Sequence, residues 1–549
     1  MRNDRLSWNR HWRSDVRGRT LSLCLWLAVA ATPGSTNAAE LTLSTATVAE
    51  LNAAMDAGVL SSQQLIQALL QRIAAYDDAG PGINAVLTLN PAAGRRAAEL
   101  DVERALTGRR SPLHGIPVVL KDNIDTADLP TTAGSFLLAG SLPPDDATLV
   151  RRLRAAGAIV LAKVNMSELA SGGALSSMGG PTYNPHDTSR SPSGSSGGTG
   201  AAVAAGYAPL GIGTDTGGSV RGPSAANGLV GLKPTLGLLS RDGIVPLALS
   251  FDTAGPMTRS VRDLALFLNV LAGTDPADPV TAASDQRRVS DYSAVLDADA
   301  FKGARIGIAR DFMQADREVD WVVEAALETM REAGAEVVDV ELPGWLLDSR
   351  GEFYRTIRYR EFRAQIADYL ATLDRAYPKS LAQLIDGARQ LVSRRPDGTI
   401  PNPSRWQLML REEASGTLKD PEYLAVRDHA LPLIRATLAG VLATHRLDAI
   451  AYPTSPTRPG RVDPDPNPTG APGGGGSPAI LANLSGFPDL ILPAGFTGRG
   501  LPVALSLLGP AFSEARLLAL GYAFEQRTRA LRQPRETPPL ADELIRYGN

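Results

Sequence analysis

Apolar and polar positions along the chain follow two different periods, which predicts both helices and strands. Near the start of the body of the chain, apolar residues recur at helical spacing in TVAELNAAMDAG and SSQQLIQALLQRIAAYD. Each segment opens with a capping pair, Thr47 with Glu50 and Ser61 with Gln64, which is typical of a helix N-terminus. The pattern therefore predicts two amphipathic helices in this part of the chain.

Short apolar runs further along predict strands that are buried on both faces. They include Ile116–Leu120, residues 305–310 and residues 447–454. The stretch DATLVRRLRAAGAIVLAKVNMSELA has the order helix, glycine, strand, helix, and residues 320–440 are predicted to be largely helical. Buried strands interleaved with helices predict an α/β fold with helices on both faces of the sheet.

The first 38 residues differ from the rest of the chain. An arginine-rich start leads into the apolar stretch LSLCLWLAVAA, which is too short to span a bilayer, and then into small residues. This layout predicts a secretory signal peptide over 1–38, cleaved after Ala38 or Ala39, with 39–549 as one catalytic domain. The protein is then expected to be exported, periplasmic or secreted, with no stable membrane insertion. A membrane anchor and a disordered leader are the alternatives.

Composition narrows the classes of function. The chain has 549 residues, 44% of them hydrophobic, a net charge near −3 and no basic run in its body, which argues against nucleic acid as a partner. The single cysteine, Cys24, lies in the predicted signal peptide, so the mature protein has no thiol chemistry. No HExxH or Walker motif is present, so neither a metal nor another cofactor is expected. Monomer and homodimer stay open.

Three segments point to one chemistry. Lys121 ends an apolar strand, where burial disfavours its charge, Ser195 and Ser196 lie in SPSGSSGGTG, and Ser219 follows two glycines in GTDTGGSVR. A serine hydroxyl is a weak nucleophile until a base takes its proton, and a buried lysine with a lowered pKa is such a base. The segments together predict a proton relay that needs no histidine.

The same segments resemble the amidase signature family. The resemblance is carried by LHGIPVVLKDN, SPSGSSGGTGAAVAAG, GTDTGGSVRGPSAANGLVGLKPT, FDTAGPMTRSVRD and the C-terminal NLSGFPDLILPAGF, and it covers nearly the whole chain after the leader. Among family members the chain is most similar to bacterial amidases of the peptide amidase type. The resemblance implies one large α/β domain with a mixed central sheet covered by helices on both faces.

The resemblance also implies a Ser–cis-Ser–Lys triad. Ser219 matches the nucleophile, Ser195 matches the bridging serine after a cis peptide bond from Gly194, and Lys121 matches the base. The expected reaction is hydrolysis of a carboxylic amide through an acyl-Ser219 intermediate, with activity rising from acidic to mildly alkaline pH.

Further residues of the same motifs are expected to assist. Backbone N–H groups of Thr216, Gly217, Gly218 and Ser219 are the implied oxyanion hole. In addition, hydrogen bonds of Asp215 and Arg221 are expected to brace this loop, and Ser196 is expected to support the lysine, in a serine run that is shorter than in many relatives.

Several alternatives stay open at this stage. GSSGG also fits a nucleophile elbow with Ser196 as nucleophile and His429 or His445 downstream, although SRSPS is a poor strand. His114 is expected to be structural and His186 exposed. The substrate is a small-molecule or peptide amide, and anilides (aryl acylamidase activity), carbamates and esters are not excluded. Two alternative functions also stay open: a catalytically silent binding protein, and the glutaminase subunit of a tRNA-dependent amidotransferase.

Overall fold

A computed structural model describes residues 39–394, 402–462 and 477–547. The predicted signal peptide and most of the proline- and glycine-rich loop at 456–479 lie outside these residues. Residues Glu40–Arg546 form one compact unit. In the described part of the chain, no helix is both long enough and apolar enough to cross a bilayer.

The strands are β1 (Ala39–Thr42), β2 (Val86–Leu89), β3 (Pro117–Lys121), β4 (Ile159–Val164), β5 (Leu175–Ser176), β6 (Gly180–Pro181), β7 (Leu210–Asp215), β8 (Val230–Lys233), β9 (Thr253–Thr258), β10 (Arg305–Ala309), β11 (Glu336–Val340), β12 (Ala449–Pro453), β13 (Asp489–Phe496), β14 (Pro502–Leu508) and β15 (Leu544–Tyr547).

The α-helices are α1 (Val48–Asp56), α2 (Ser62–Ile73), α3 (Ala93–Thr107), α4 (Thr148–Ala155), α5 (Gly197–Ala204), α6 (Arg221–Ala226), α7 (Val261–Leu271), α8 (Arg317–Glu332), α9 (Gly344–Thr372), α10 (Leu381–Arg394), α11 (Pro403–Glu413), α12 (Pro421–Ala425), α13 (Leu431–Thr444), α14 (Ile480–Ser485) and α15 (Glu514–Thr528).

A mixed sheet organises the molecule. Among the described residues it has eleven strands in the order β11-β10-β12-β14-β13-β8-β9-β7-β3-β4-β2. Strand β3 runs parallel to β4 and β7, whereas β9 runs antiparallel to β7. The central strands β3, β4, β7, β8 and β9 are buried along their whole length, which requires helices over both faces. The expected α/β fold with a mixed, helix-covered sheet is confirmed.

The local predictions near the start of the chain are also confirmed. Helices α1 and α2 both begin with a capping box, made by Thr47 with Glu50 and by Ser61 with Gln64. The stretch 320–440 is mostly helical, but it contains β11, which extends the sheet at its edge beside β10. All residues of β11 except Val340 are exposed or partly buried, and the sequence of this strand lacks the continuous apolar run that marks the central strands.

The register of β3 and β7 sets the position of the site. Val119 pairs with Gly211 and Leu120 pairs with Ile212, so the carboxyl ends of the two parallel strands lie side by side. Residues that follow these strands therefore meet at one edge of the sheet. Helix α5 packs on the same two strands and brings the chain before it to that edge.

Candidate active site

Lys121, the last residue of β3, is fully buried at this edge. Its Nζ lies 2.7 Å from Ser195 Oγ and 2.7 Å from Thr214 Oγ1. Burial lowers the lysine pKa to about 7, although the carboxylates of Asp215 and Asp252 act in the opposite direction. Near neutral pH, a large fraction of the lysine is therefore unprotonated and has a lone pair to accept a proton.

Ser195 is buried beside the lysine, just before α5. The peptide bond from Gly194 to Ser195 is cis, as the family resemblance implies. The Ser195 carbonyl accepts a hydrogen bond of 3.0 Å from the N–H of Ser167. The Ser195 hydroxyl therefore lies within hydrogen-bonding distance of Lys121, and the Ser195 backbone is held by Ser167.

Ser196 contacts the lysine site through another residue. Its Oγ donates to the Thr214 carbonyl at 3.2 Å and lies 3.3 Å from the Thr214 amide nitrogen, which donates to it. Thr214 in turn contacts Lys121, and Asn123 Nδ2 donates to Thr214 Oγ1 at 3.0 Å. The support expected from Ser196 for the lysine thus runs through Thr214.

Ser219 lies in the turn after β7 and is partly exposed, in contrast to the buried Ser195. Its carbonyl accepts a hydrogen bond of 3.2 Å from the Ser196 N–H, which ties the two serine-bearing segments together. Gly218, immediately before it, has φ +110°, a conformation that side chains rarely adopt. A Cβ on Gly217 would lie 2.6 Å from the hydroxyl of Tyr354 on α9.

Asp215 holds the amides of this turn. Its carboxylate accepts hydrogen bonds from the N–H of Gly218 at 2.9 Å and of Val220 at 3.0 Å. Within the described ranges, the N–H groups of Gly217 and Ser219 make no hydrogen bond. The amide of Gly218, one of the four implied oxyanion donors, is thus already engaged, whereas those of Gly217 and Ser219 are available.

Every N–H of the buried Arg221 guanidinium has an acceptor. Nε and Nη2 donate to Asp215 at 3.1 and 3.0 Å, and Nη1 donates to Asp489 at 2.9 Å. The carbonyl of Ala479 and Oδ1 of Asn483 accept the remaining two. Burial alone would raise the Asp215 pKa, but the Arg221 cation and these hydrogen bonds outweigh it and hold that pKa below its usual range.

Several functional candidates were not predicted from the sequence. Thr214 and Asn123 lie inside the recognised motifs, close in sequence to Asp215 and Lys121 respectively. A polar side chain at such a position could have been predicted to contact the site. Asp252, which accepts from Thr216 Oγ1 at 2.5 Å, was another motif residue. Asp489 opens a strongly apolar strand, and an acid in such a run is itself a signal. Tyr354 offered none, because only the tertiary packing of α9 brings it to Gly217.

The nucleophile-elbow alternative is wrong. Ser196 is fully buried and its hydroxyl is bonded to the Thr214 backbone, whereas His429 and His445 are exposed. An elbow requires a strand immediately before the nucleophile, but the last described strand before Ser196 is β6, which ends at Pro181.

The other two histidines of the described residues, His114 and His186, are both structural. His114 is buried, with Nε2 2.9 Å from the Leu100 carbonyl, as expected. The expectation that His186 is exposed is wrong. Its ring is buried against Phe496, with Nε2 3.1 Å from the Asn227 carbonyl, and burial lowers its pKa to about 4.

Comparison with known proteins gives a consistent result. The model of the Amidase family matches residues 64–518. A glutamyl-tRNA(Gln) amidotransferase subunit from Chloroflexus aggregans is 39% identical over 486 residues, covering 88% of this chain and 96% of that protein.

Solved structures are similar over the same length. The native peptide amidase from Stenotrophomonas maltophilia is 43% identical with a TM-score of 0.81, and the match covers 90% of this chain and 99% of that one. An amidase family protein from Bacillus anthracis str. Ames is 33% identical with a TM-score of 0.78, covering 90% and 93%.

Proposed function

The chain belongs to the amidase family, and from that premise we propose that it hydrolyses a carboxylic amide through an acyl-Ser219 intermediate, with C-terminal peptide amides as its substrate class. One observation carries the mechanism. The fully buried Lys121 amine lies 2.7 Å from the hydroxyl of Ser195, and the Ser195–Ser196 segment is hydrogen-bonded to the backbone of Ser219.

The proposed acylation uses these residues in sequence. Ser219 Oγ attacks the amide carbonyl carbon while Ser195 takes its proton and passes its own to Lys121. The proton returns through Ser195 to the leaving nitrogen as the C–N bond breaks, and ammonia or an amine departs. The donors available for the tetrahedral oxyanion are the amides of Gly217 and Ser219, with Thr216 beside them.

Deacylation uses the same residues. Water attacks the acyl-Ser219 ester, and its proton passes through Ser195 to Lys121. The proton then returns to Ser219 Oγ as the ester bond breaks and the carboxylic acid leaves. Because the lysine must be unprotonated at each attack, activity is expected to rise with pH through about 7.

The substrate class rests on similarity at the level of the whole chain. A solved neighbour that is 43% identical along nearly its full length is a peptide amidase. In the nucleophile turn, the guanidinium of Arg221 is fully used and offers no site for a free carboxylate. A neutral C-terminal carboxamide suits such a site better than an acid does.

The test is ammonia release from a panel of C-terminally amidated peptides, simple carboxamides and glutamine, with Ser219→Ala as the matched inactive variant. We expect ammonia from amidated peptides with the wild type and none above background with the variant. Ammonia from simple carboxamides alone would contradict the substrate class. Release by Ser219→Ala at the wild-type rate would contradict the mechanism.

A second candidate is the glutaminase subunit of an amidotransferase, which the 39% identity to such a protein favours. It predicts ammonia from glutamine and a stable complex with partner subunits. The proposed peptide amidase predicts neither, and it acts as a monomer or homodimer. Size-exclusion chromatography of the protein purified from its own cells, together with the glutamine assay, separates the two.

We also propose that the protein is exported. The support is the sequence of residues 1–38, which carries the features of a secretory signal peptide. Cell fractionation tests this proposal, because an amidotransferase component would be retained in the cytoplasm with its tRNA substrate.

A further inference from the structure

A buried acid on another part of the sheet is joined to the nucleophile turn through Arg221. Asp489, the first residue of β13, is fully buried, and its Oδ2 accepts from Arg221 Nη1 at 2.9 Å. The same Oδ2 accepts from the hydroxyl of Tyr452 on β12 at 2.5 Å. Asp489 is 270 residues from Ser219 in sequence, and the catalytic steps proposed above do not use it.

The connection from Asp489 to the turn is continuous and excludes water. Arg221 also donates hydrogen bonds to Asp215, whose carboxylate accepts from the N–H groups of Gly218 and Val220. Side chains of Asp489, Arg221 and Asp215 are all fully buried, so water cannot substitute for a lost partner at low cost.

Arg221 is held between two acids of different strength. Asp215 bonds to two nitrogens of the guanidinium and carries a lowered pKa, whereas burial raises the pKa of Asp489. The planar guanidinium has a fixed fork geometry, so an acceptor on Nη1 fixes the direction of Nε and Nη2 as well. Asp489, together with the Ala479 carbonyl and Asn483 Oδ1, therefore sets the direction in which the Arg221 guanidinium meets Asp215.

We infer that Asp489 is a positioning residue, which acts through Arg221 and Asp215 to keep the free amides of Gly217 and Ser219 aimed at the oxyanion. This inference rests on the function proposed for Ser219. It assigns Asp489 no contact with substrate. Its loss should therefore slow attack by Ser219 and leave substrate affinity nearly unchanged.

The experiment compares the wild type with Asp489→Asn and Asp489→Ala in the full chain. A fluorophosphonate probe measures Ser219 labelling without any assumption about the natural substrate, and kcat and KM are measured on whichever amide the wild type hydrolyses. We expect labelling and kcat to fall about 100-fold in Asp489→Ala and about 10-fold in Asp489→Asn, with KM within about twofold. Asparagine retains an acceptor oxygen for Arg221 and Tyr452, hence the smaller loss.

Two controls separate positioning from general loss of stability. Glu543→Gln alters another fully buried ion pair, Arg72–Glu543, whose residues lie outside the site, so it should lower Tm without slowing labelling. The pH dependence of labelling should keep its midpoint near 7 in Asp489→Asn, because burial of Lys121 sets that value.

The outcomes are decisive in each direction. Wild-type labelling by folded Asp489→Asn, a rise in KM with kcat unchanged, or a shifted pH midpoint would each overturn the inference. If Asp489→Ala does not fold, Asp489→Asn decides the result. A wild type that is labelled but releases no ammonia overturns the proposed function and leaves the labelling comparison a valid test of Asp489.

Discussion

At the scale of single residues, Lys121 is the group that accepts and returns a proton in the proposed cycle. Among the described residues, no carboxylate lies within hydrogen-bonding distance of the Lys121 amine. Its neighbours are the hydroxyls of Ser195 and Thr214 and, at 3.4 Å, the Thr214 carbonyl. An unprotonated amine can donate two hydrogen bonds to Thr214 and accept the Ser195 proton, so these contacts suit the neutral base.

Replacing Lys121 by methionine tests the protonation state directly. The folded pKa of about 7 lies below the ordinary value of 10.5, so between these values the unfolded chain binds a proton that the folded chain has lost. The stability of the wild type relative to Lys121→Met should therefore rise as pH increases from 7 to 10. Denaturant unfolding at several pH values measures this difference, and a constant difference would contradict a neutral lysine.

Thr214→Val tests the hydroxyl that holds the lysine. The variant removes the acceptor for both Lys121 and Asn123, and loss of one such hydrogen bond to a reacting group is expected to lower kcat about 10-fold. Thr258→Val at the end of the neighbouring strand β9 is the matched control, because its hydroxyl donates only to the Ser260 carbonyl. Equal kcat values in the two variants would exclude a role for Thr214.

The sequence predicts the candidate residues of the site more completely than it predicts their contacts. Lys121, Ser195 and the Ser219 turn could be placed because each lies in a short motif whose residue types point to one chemistry. The route from Ser196 to the lysine through Thr214 could not, because it depends on how β7 lies against α5. The engagement of the Gly218 amide by Asp215 likewise follows from the shape of the turn.

At the scale of elements, α5 is held against the end of β4 by backbone contact. The Gly198 N–H donates to the Asn165 carbonyl at 3.0 Å, and a Cβ on Gly198 would lie 2.5 Å from the Asn165 amide nitrogen. Because Ser195 and Ser196 immediately precede α5, the approach of this helix to β4 sets the position of the bridging serine.

Gly198→Ala should therefore displace the start of α5. We expect a loss of about 1–3 kcal/mol in the free energy of unfolding and a larger proportional loss of activity. Gly440→Ala is the control, since nothing lies within 4 Å of its added Cβ in α13 and a helical alanine is favoured by about 0.5–1 kcal/mol. Thermal unfolding and amide hydrolysis of both variants test this expectation.

Elements that are deeply buried could be predicted better from the sequence than exposed ones. The apolar runs predicted β3, β10 and β12 to within two residues at each end, and the capping boxes predicted the first two helices. Strand β11 was not predicted because it lies at an edge of the sheet and most of its residues are exposed or partly buried. The pairing of β7 with β9, on which Asp252 depends, is a long-range contact that local patterns do not encode.

At the scale of the whole molecule, the proposed catalytic groups come from one region of the sheet and the elements that follow it. Lys121 ends β3, Ser195 precedes α5 and Ser219 follows β7. The long α9 contributes Tyr354 beside Gly217, and residues of α9 to α13 lie in two buried apolar clusters. The groups of the proposed reaction and the side chain of Tyr354 beside the nucleophile turn thus come from different parts of the chain.

The extent of the mature protein is a prediction at this scale. The compact unit of the described residues begins at Glu40, directly after the predicted cleavage sites at Ala38 and Ala39. Mass spectrometry of the protein recovered from a secretion-competent host should therefore give a chain that starts at residue 39 or 40. Recovery with the first 38 residues intact would contradict the signal peptide.

The fully occupied guanidinium of Arg221 has a consequence for how such enzymes diversify. An arginine whose N–H groups all donate to protein acceptors has none left to bind a substrate. Selection for a new substrate therefore acts on this residue only through loss of the reaction. Mutations at residues outside this hydrogen-bonded network meet no such barrier, because they leave the bond-breaking groups in place. A lineage can therefore exchange substrates many times and inherit one reaction centre unaltered.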